Sequence, residues 1–210
     1  MMVRLVGKLA VIEHLGSIGR AIQTRLTSQG CVAIPFDEWC ESNGSPDIAI
    51  CTSGKMIIRH PSKVDSKILN RMWLMNYAIP RQFTELVLTA GAKLIIHIGS
   101  NSARYGKSGA EDYAALKAAL WKYCEIRGSL AAKENGARIM HIGLGGVCNS
   151  FWDHVRKDDC DLEIAETNKM IPEAGKGLTN EEVAELIVSL CRLPENVAVK
   201  DMLVTGRAYQ

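Results

Sequence analysis

The sequence predicts an α/β domain, a doubly wound parallel sheet with helices covering both faces. Two observations carry the prediction. Short apolar runs alternate with helix-patterned stretches from one end of the 210 residues to the other. The runs are apolar throughout rather than at every second position, which is the pattern of strands buried on both faces.

The elements follow in order. "KLAVIE" (residues 8–13) is the first strand, and "SIGRAIQTRLTSQG" is a helix that stops at Gly30. "CVAIPF" is the second strand, ending at Asp37. "DIAICTSG" is the third, ending in small residues. A long helix is expected over residues 64–89, with Gly91 as its stop. "KLIIHIGS" is the fourth strand, and "EDYAALKAALWKYCEIRGSLAAKE" is a helix ended by Gly136. "ARIMHIGLGG" is the fifth strand. Thr179 caps the helix "TNEEVAELIVSLCRL", and Glu182, three residues on, completes a capping box. "DMLVTG" closes the sheet. Residues 149–177 are expected to be irregular, a stretch too long for an ordinary connection and of the kind that forms lids.

The totals exclude several classes. A chain of this length is expected to fold as one domain, residues 1–210. Nearly half the residues are apolar and the net charge is +2, so no nucleic-acid partner or anionic membrane surface is indicated. No apolar run is long enough to span a membrane. The apolar start is broken by Arg4 and Lys8 and reads as strand, not signal peptide. Seven scattered cysteines without a Cys-x-x-Cys pair fit neither a disulfide framework nor a metal site, and point to a reducing, cytoplasmic compartment.

Three motifs carry chemistry. In "HLGSIG", Gly16 and Gly19 are two of the three glycines of a dinucleotide fingerprint, opening a helix whose free N–H groups would meet a pyrophosphate. Asp37 lies about twenty residues on, where an acid takes the ribose hydroxyls. Alone, the motif fits a cofactor turn and an ordinary strand–helix turn equally well. In "YAALK", Tyr113 and Lys117 share one helix face, and an ammonium near a phenol makes its proton easier to move. Ser100 ends a strand, where open α/β sheets place ligands; Ser102 competes for that role. His97, within an apolar strand, reads as a core histidine.

The ordered set resembles the short-chain dehydrogenase/reductases. The resemblance runs from Leu9 to Gly206. Ser100 precedes "YAALK" at the family's spacing, and Asn76 in "MWLMNYAIP" matches its asparagine. "ICTSG" stands for Asn-Asn-Ala-Gly, so Ser53 and Gly54 match its last two residues. "LGGVCNS" stands for Pro-Gly-x-Val-x-Thr, so Gly145 and Val147 match, with Leu144 and Asn149 as departures. Glu13 or His14, depending on alignment, replaces the first glycine. Only "EWCESNGSP" separates Asp37 from the next strand, where the family has a helix, a strand and further connection, so the adenine half of the site is trimmed.

The resemblance implies a three-layer Rossmann-like fold with the segment after the second strand shortened. It implies an NAD(P)-dependent oxidoreductase moving hydride between a nicotinamide and a carbonyl/alcohol substrate. The catalytic residues would be Asn76, Ser100, Tyr113 and Lys117, with Tyr113 as acid/base, Lys117 on the nicotinamide ribose, and Asn76 on a relay water. Gly16, Ser17, Ile18, Gly19, Asp37, Ser53, Gly54, Tyr113, Lys117 and Val147 would hold cofactor. Asp37, which would repel a 2′-phosphate, favours NAD(H) over NADP(H). No metal is implied. Residues 149–177, with Phe151, Trp152, His154 and Arg156, would form a substrate lid. Lys55, Arg59 and Arg104 would line the pocket as anion sites or remain solvated surface. A homodimer or homotetramer would form through the two long central helices. The alternatives are a non-catalytic dinucleotide sensor and a cofactor-free structural partner of the same fold.

Overall fold

The computed structural model describes residues 2–42, 44–158, 160–173 and 175–207, and for residues 42, 154 and 156–158 the backbone only. Among them, six parallel strands form one sheet in the order β2-β1-β3-β4-β5-β6. The strands are β1 (Leu9–Glu13), β2 (Val32–Pro35), β3 (Ile48–Cys51), β4 (Leu94–Ser100), β5 (Arg138–Leu144) and β6 (Asp201–Val204). The chain steps outward from β1 to β2 and then crosses back to place β3 on the other side of β1. A crevice opens at the carboxyl ends of the strands where that direction reverses.

Alternate side chains of each strand enter two separate cores. Ala10, Ile12, Ile48, Ile50, Ile96 and Ile142 meet α1 (Ser17–Thr27) and α8 (Asn180–Cys191) on one face. Val11, Ala49, Ile95 and Ile139 meet α2 (Phe36–Ser42), α4 (Ile79–Thr89) and α5 (Glu111–Asn135) on the other. The predicted capping box of α8 is present: Thr179 Oγ1 accepts from the Glu182 N–H at 3.1 Å, and Glu182 accepts from the Thr179 N–H at 2.8 Å. Gly136, in the left-handed region at φ 71°, ends α5 as expected.

The structure departs from the sequence reading in three places. The helix expected over residues 64–89 is two helices, α3 (Ser66–Trp73) and α4, joined by a π-helical turn at Leu74–Ala78. Pro80 is the cause. It has no N–H for the carbonyl of Asn76 four residues earlier, and the helix widens there rather than ending. Asp37 is not at a strand end, because β2 stops at Pro35 and Phe36 starts α2. That short helix is held by Phe36 against Trp39 and Phe83, with ring centroids 5.5 and 5.3 Å apart. Thirdly, residues 149–177 are not irregular throughout. They contain α6 (Phe151–Asp158) and α7 (Leu162–Thr167), anchored in a third apolar cluster where Trp152, Val155 and Ala165 join Met56, Ile58, Met72 and Tyr113.

Candidate active site

The site begins where β1 runs into α1. His14 adopts φ 67°, the left-handed conformation that the missing fingerprint glycine would have taken without cost. Its carbonyl accepts from Thr52 Oγ1 at 2.6 Å, which ties the turn to the end of β3. A Cβ on Gly19 would overlap that same His14 carbonyl, so only glycine lets α1 approach the turn this closely. Gly16 caps α1 without any side-chain hydrogen bond, and the first turn has no acidic residue. The N–H groups of that turn and the positive end of the helix dipole therefore face the cavity bordered by Gly16, Ser17, Ile18 and Gly19. A diphosphate-bearing cofactor fits this donor set.

The cavity has a volume of about 550 Å³ and runs from α1 along the strand ends to α6. Ser100 at the end of β4 and Tyr113 on α5 both border it, close enough for the Ser100 hydroxyl to ease the phenol. One helical turn on, Lys117 points the same way, its Nζ 5.8 Å from the centre of the Tyr113 ring. The ammonium donates to the Ser53 carbonyl at 3.2 Å. Gly54 follows, and a Cβ there would stand 3.0 Å from Lys117 Nζ and 3.6 Å from Asn76 Oδ1. Asn76, fully buried in the π-helical turn, pins this loop. Its Nδ2 donates to the carbonyls of Lys55 and Met72 at 2.7 and 2.9 Å, and its Oδ1 accepts from the Lys55 N–H at 3.1 Å. The amide is thus occupied by backbone. Val147 lines the cavity, and its carbonyl accepts from Trp152 Nε1 at 3.0 Å.

Burial governs the protonation of the site. It lowers Lys117 to about 8, against the pull of the nearby Glu13 carboxylate. It raises Tyr113 to about 12, with the Ser100 hydrogen bond acting the other way. The phenol of the free site is therefore not eased by Lys117 as the spacing suggested, and loss of water around the hydroxyl governs it. Beneath the site, His97 is wholly buried, with Nε2 2.8 Å from Thr84 Oγ1, and is held neutral at about 3. Across the strand pair, His141 is held at about 4.

Asp37 is exposed and does not border the cavity. Lys55 does border it, whereas Arg104 pairs with Asp201 and covers the Trp121 ring at 4.6 Å. Ser102 lines the cavity, but its N–H serves to fix the Ser100 hydroxyl at 3.1 Å. The side chains of His154 and Arg156 lie outside the described residues. The sequence reading missed Lys107, which donates to the carbonyls of Asn168 and Lys169 just beyond α7 at 3.1 and 2.7 Å. It also missed the partners of Glu13, whose carboxylate accepts from Ser53 Oγ at 2.5 and 2.6 Å and from Cys51 Sγ at 3.3 Å. Among the described residues no cluster of His, Cys, Asp or Glu is arranged to hold a metal, and no helix is long and apolar enough to cross a membrane.

No family model matches the chain. No curated protein matches it in sequence. Solved structures do match over nearly the whole length. A short-chain dehydrogenase/reductase from Serratia marcescens aligns over 99% of this chain and 100% of its own, at 18% identity and a TM-score of 0.78. The closed form of serine dehydrogenase complexed with NADP+ aligns over 94% of each chain, at 19% identity and a TM-score of 0.76. An alcohol dehydrogenase from the archaeon Thermococcus sibiricus, complexed with 5-hydroxy-NADP, aligns over 97% of this chain and 98% of its own, at 17% identity and a TM-score of 0.73. The fold is the Rossmann-like fold of the short-chain dehydrogenase/reductases. The expected preference for NAD(H) is overturned. Four of the matching structures hold 5-hydroxy-NADP, NADP+, NADPH or NADP, and the carboxylate of Asp37 that was to repel a 2′-phosphate sits outside the cavity.

Proposed function

From the short-chain dehydrogenase/reductase fold as premise, we propose that this protein is an NADP(H)-dependent oxidoreductase acting on a carbonyl/alcohol pair. The observation that carries the reading is the meeting of Ser100, Tyr113 and Lys117 in one cavity that also receives the uncapped start of α1. Gly16, Ser17, Ile18 and Gly19 hold the pyrophosphate by backbone N–H groups. Lys117 and the loop Ser53–Gly54 hold the nicotinamide ribose, and Val147 borders the nicotinamide itself. When bound, the nicotinamide supplies or accepts the hydride.

The chain's own residues manage the proton and the geometry. Ser100 and Tyr113 both donate to the substrate oxygen and fix its position. On reduction Tyr113 gives its phenolic proton to the oxygen; on oxidation it takes one back. A phenol at about 12 is a poor base near neutral pH, so the developing phenolate depends on Ser100 and on the charge of Lys117. The carbonyl of Asn76 receives a water that returns protons towards Lys117. α6 and α7 act as a substrate lid over residues 149–177, excluding water and presenting Phe151, Trp152 and Met170 to an apolar substrate. Leu86 on α4 and Ile126 and Leu130 on α5 are apolar and exposed, which supports pairing of two subunits through these helices.

The test is a thermal-shift titration with NADPH, which must raise the apparent stability if it binds only the folded chain. Tyr113→Phe should then keep the shift and lose turnover across a panel of ketones and aldehydes. No shift at millimolar NADPH sinks the reading. A shift without turnover in the unmodified protein favours a dinucleotide sensor.

A further inference from the structure

Glu13 occupies the end of β1, beside the point where the sheet order reverses, and Cys51 of β3 is its strand partner. Its carboxylate is fully engaged: both oxygens accept from Ser53 Oγ, and one accepts also from Cys51 Sγ. Ser53 is only 2% exposed, and its carbonyl is the acceptor of the Lys117 ammonium at 3.2 Å. The side chain that ends β1 thus reaches Lys117 through a single residue.

The surroundings of Lys117 give this connection weight. The titratable groups facing it are Glu13 from β1, Cys51 from β3, His97 from β4, His141 from β5, and Tyr113 and Cys124 from α5. Burial keeps both thiols protonated and both imidazoles neutral, and the phenol is protonated too. Glu13 is therefore the one counter-charge among these described groups. A buried ammonium without one sheds its proton.

We propose that Glu13 is a positioning residue: through Ser53 it holds the Ser53 carbonyl on Lys117, and its charge keeps Lys117 an ammonium at neutral pH. Lys117 matters chemically only under the oxidoreductase reading, so the experiment is read on the cofactor-free protein and its failure is separate from failure of that reading. Unfolding by urea is followed from pH 6 to 10 for the unmodified protein, Lys117→Met, Glu13→Gln and the double variant. The stability of each Lys117 form relative to its Lys117→Met counterpart climbs above the pH at which the folded state releases the Lys117 proton. With Glu13 that climb should begin near pH 8. In Glu13→Gln, which still accepts from Ser53 but carries no charge, it should begin about one pH unit lower. Glu13→Asp, with the charge set back by one methylene, should shift it in the same direction by less, and stands in if Glu13→Gln does not fold. An onset unmoved in these variants overturns the proposal, as does a loss of stability equal at every pH, which marks a structural role alone. NADPH titration of the unmodified protein reports on the oxidoreductase reading independently.

Discussion

The two buried histidines make the protein sensitive to acid, and His141→Met measures how much. At pH 7 both rings are neutral. Burial holds His97 at about 3 and His141 at about 4, against 6.5 for a free imidazole, and their positions side by side on β4 and β5 add mutual repulsion. Below pH 6.5 the unfolded chain takes up two protons that the folded chain refuses. Stability then falls by about 1.4 kcal/mol per pH unit for each ring. From pH 6.5 to 4.5 the pair removes about 5 kcal/mol, as much as the whole stability of a marginal domain. His141→Met fills nearly the same space and removes one of the two rings, so the loss over that interval should shrink by about 2 to 3 kcal/mol. Carboxylates away from the ring titrate in both proteins and cancel in the difference, and Asp201, 3.5 Å from His141 Nδ1, keeps its pairing with Arg104. Urea unfolding at pH 7, 6, 5 and 4.5 measures both curves. Parallel curves would refute the reasoning, because they would mean that the folded state accepts a proton on His141 as readily as the unfolded chain does.

Three further outcomes are expected. His14 holds a left-handed backbone at φ 67°, so His14→Val should cost about 1 to 2 kcal/mol by urea unfolding while His14→Gly stays within about 0.5 kcal/mol; equal costs would remove the backbone explanation. Gly19→Ala forces a Cβ onto the His14 carbonyl and should weaken NADPH at least about tenfold in a fluorescence titration, with a loss of stability above about 1 kcal/mol. Lys107→Ala removes the donor shared by the Asn168 and Lys169 carbonyls. Limited proteolysis should then cut residues 161–173 faster, with the unfolding midpoint nearly unchanged.

Much of the fold is legible in the sequence because its causes are local. Strands apolar on both faces, helices ended by Gly30, Gly91 and Gly136, and the Thr179 capping box need no tertiary information. The handedness of crossovers narrows the possible strand orders once the elements are known. What escapes the sequence depends on contacts far along the chain. Pro80 signals an interruption, but whether a helix ends or widens there is decided by packing against α5 and by the bonds of Asn76 to Lys55. α2 displaces the expected strand end because Phe36 finds Phe83 some fifty residues on. α6 and α7 are too short to be stable alone, and the third cluster is what makes them helices. In the site, residue types and spacing single out Ser100, Tyr113 and Lys117, and the cavity unites them. The sequence also marks Glu13 as out of place. Only the fold supplies its partner, since Ser53 is forty residues away and reaches it by the pairing of β1 with β3.

The two borders of the sheet have a consequence for association. β2 is one outer strand, and β6 is the other. Each is only four residues long. β2 closes with Pro35, which has no N–H to offer an incoming strand, and its outer row is therefore too short and too incomplete to template another chain. A short border closed by proline gives a second sheet few groups to pair with, so edge-to-edge association is disfavoured on that side.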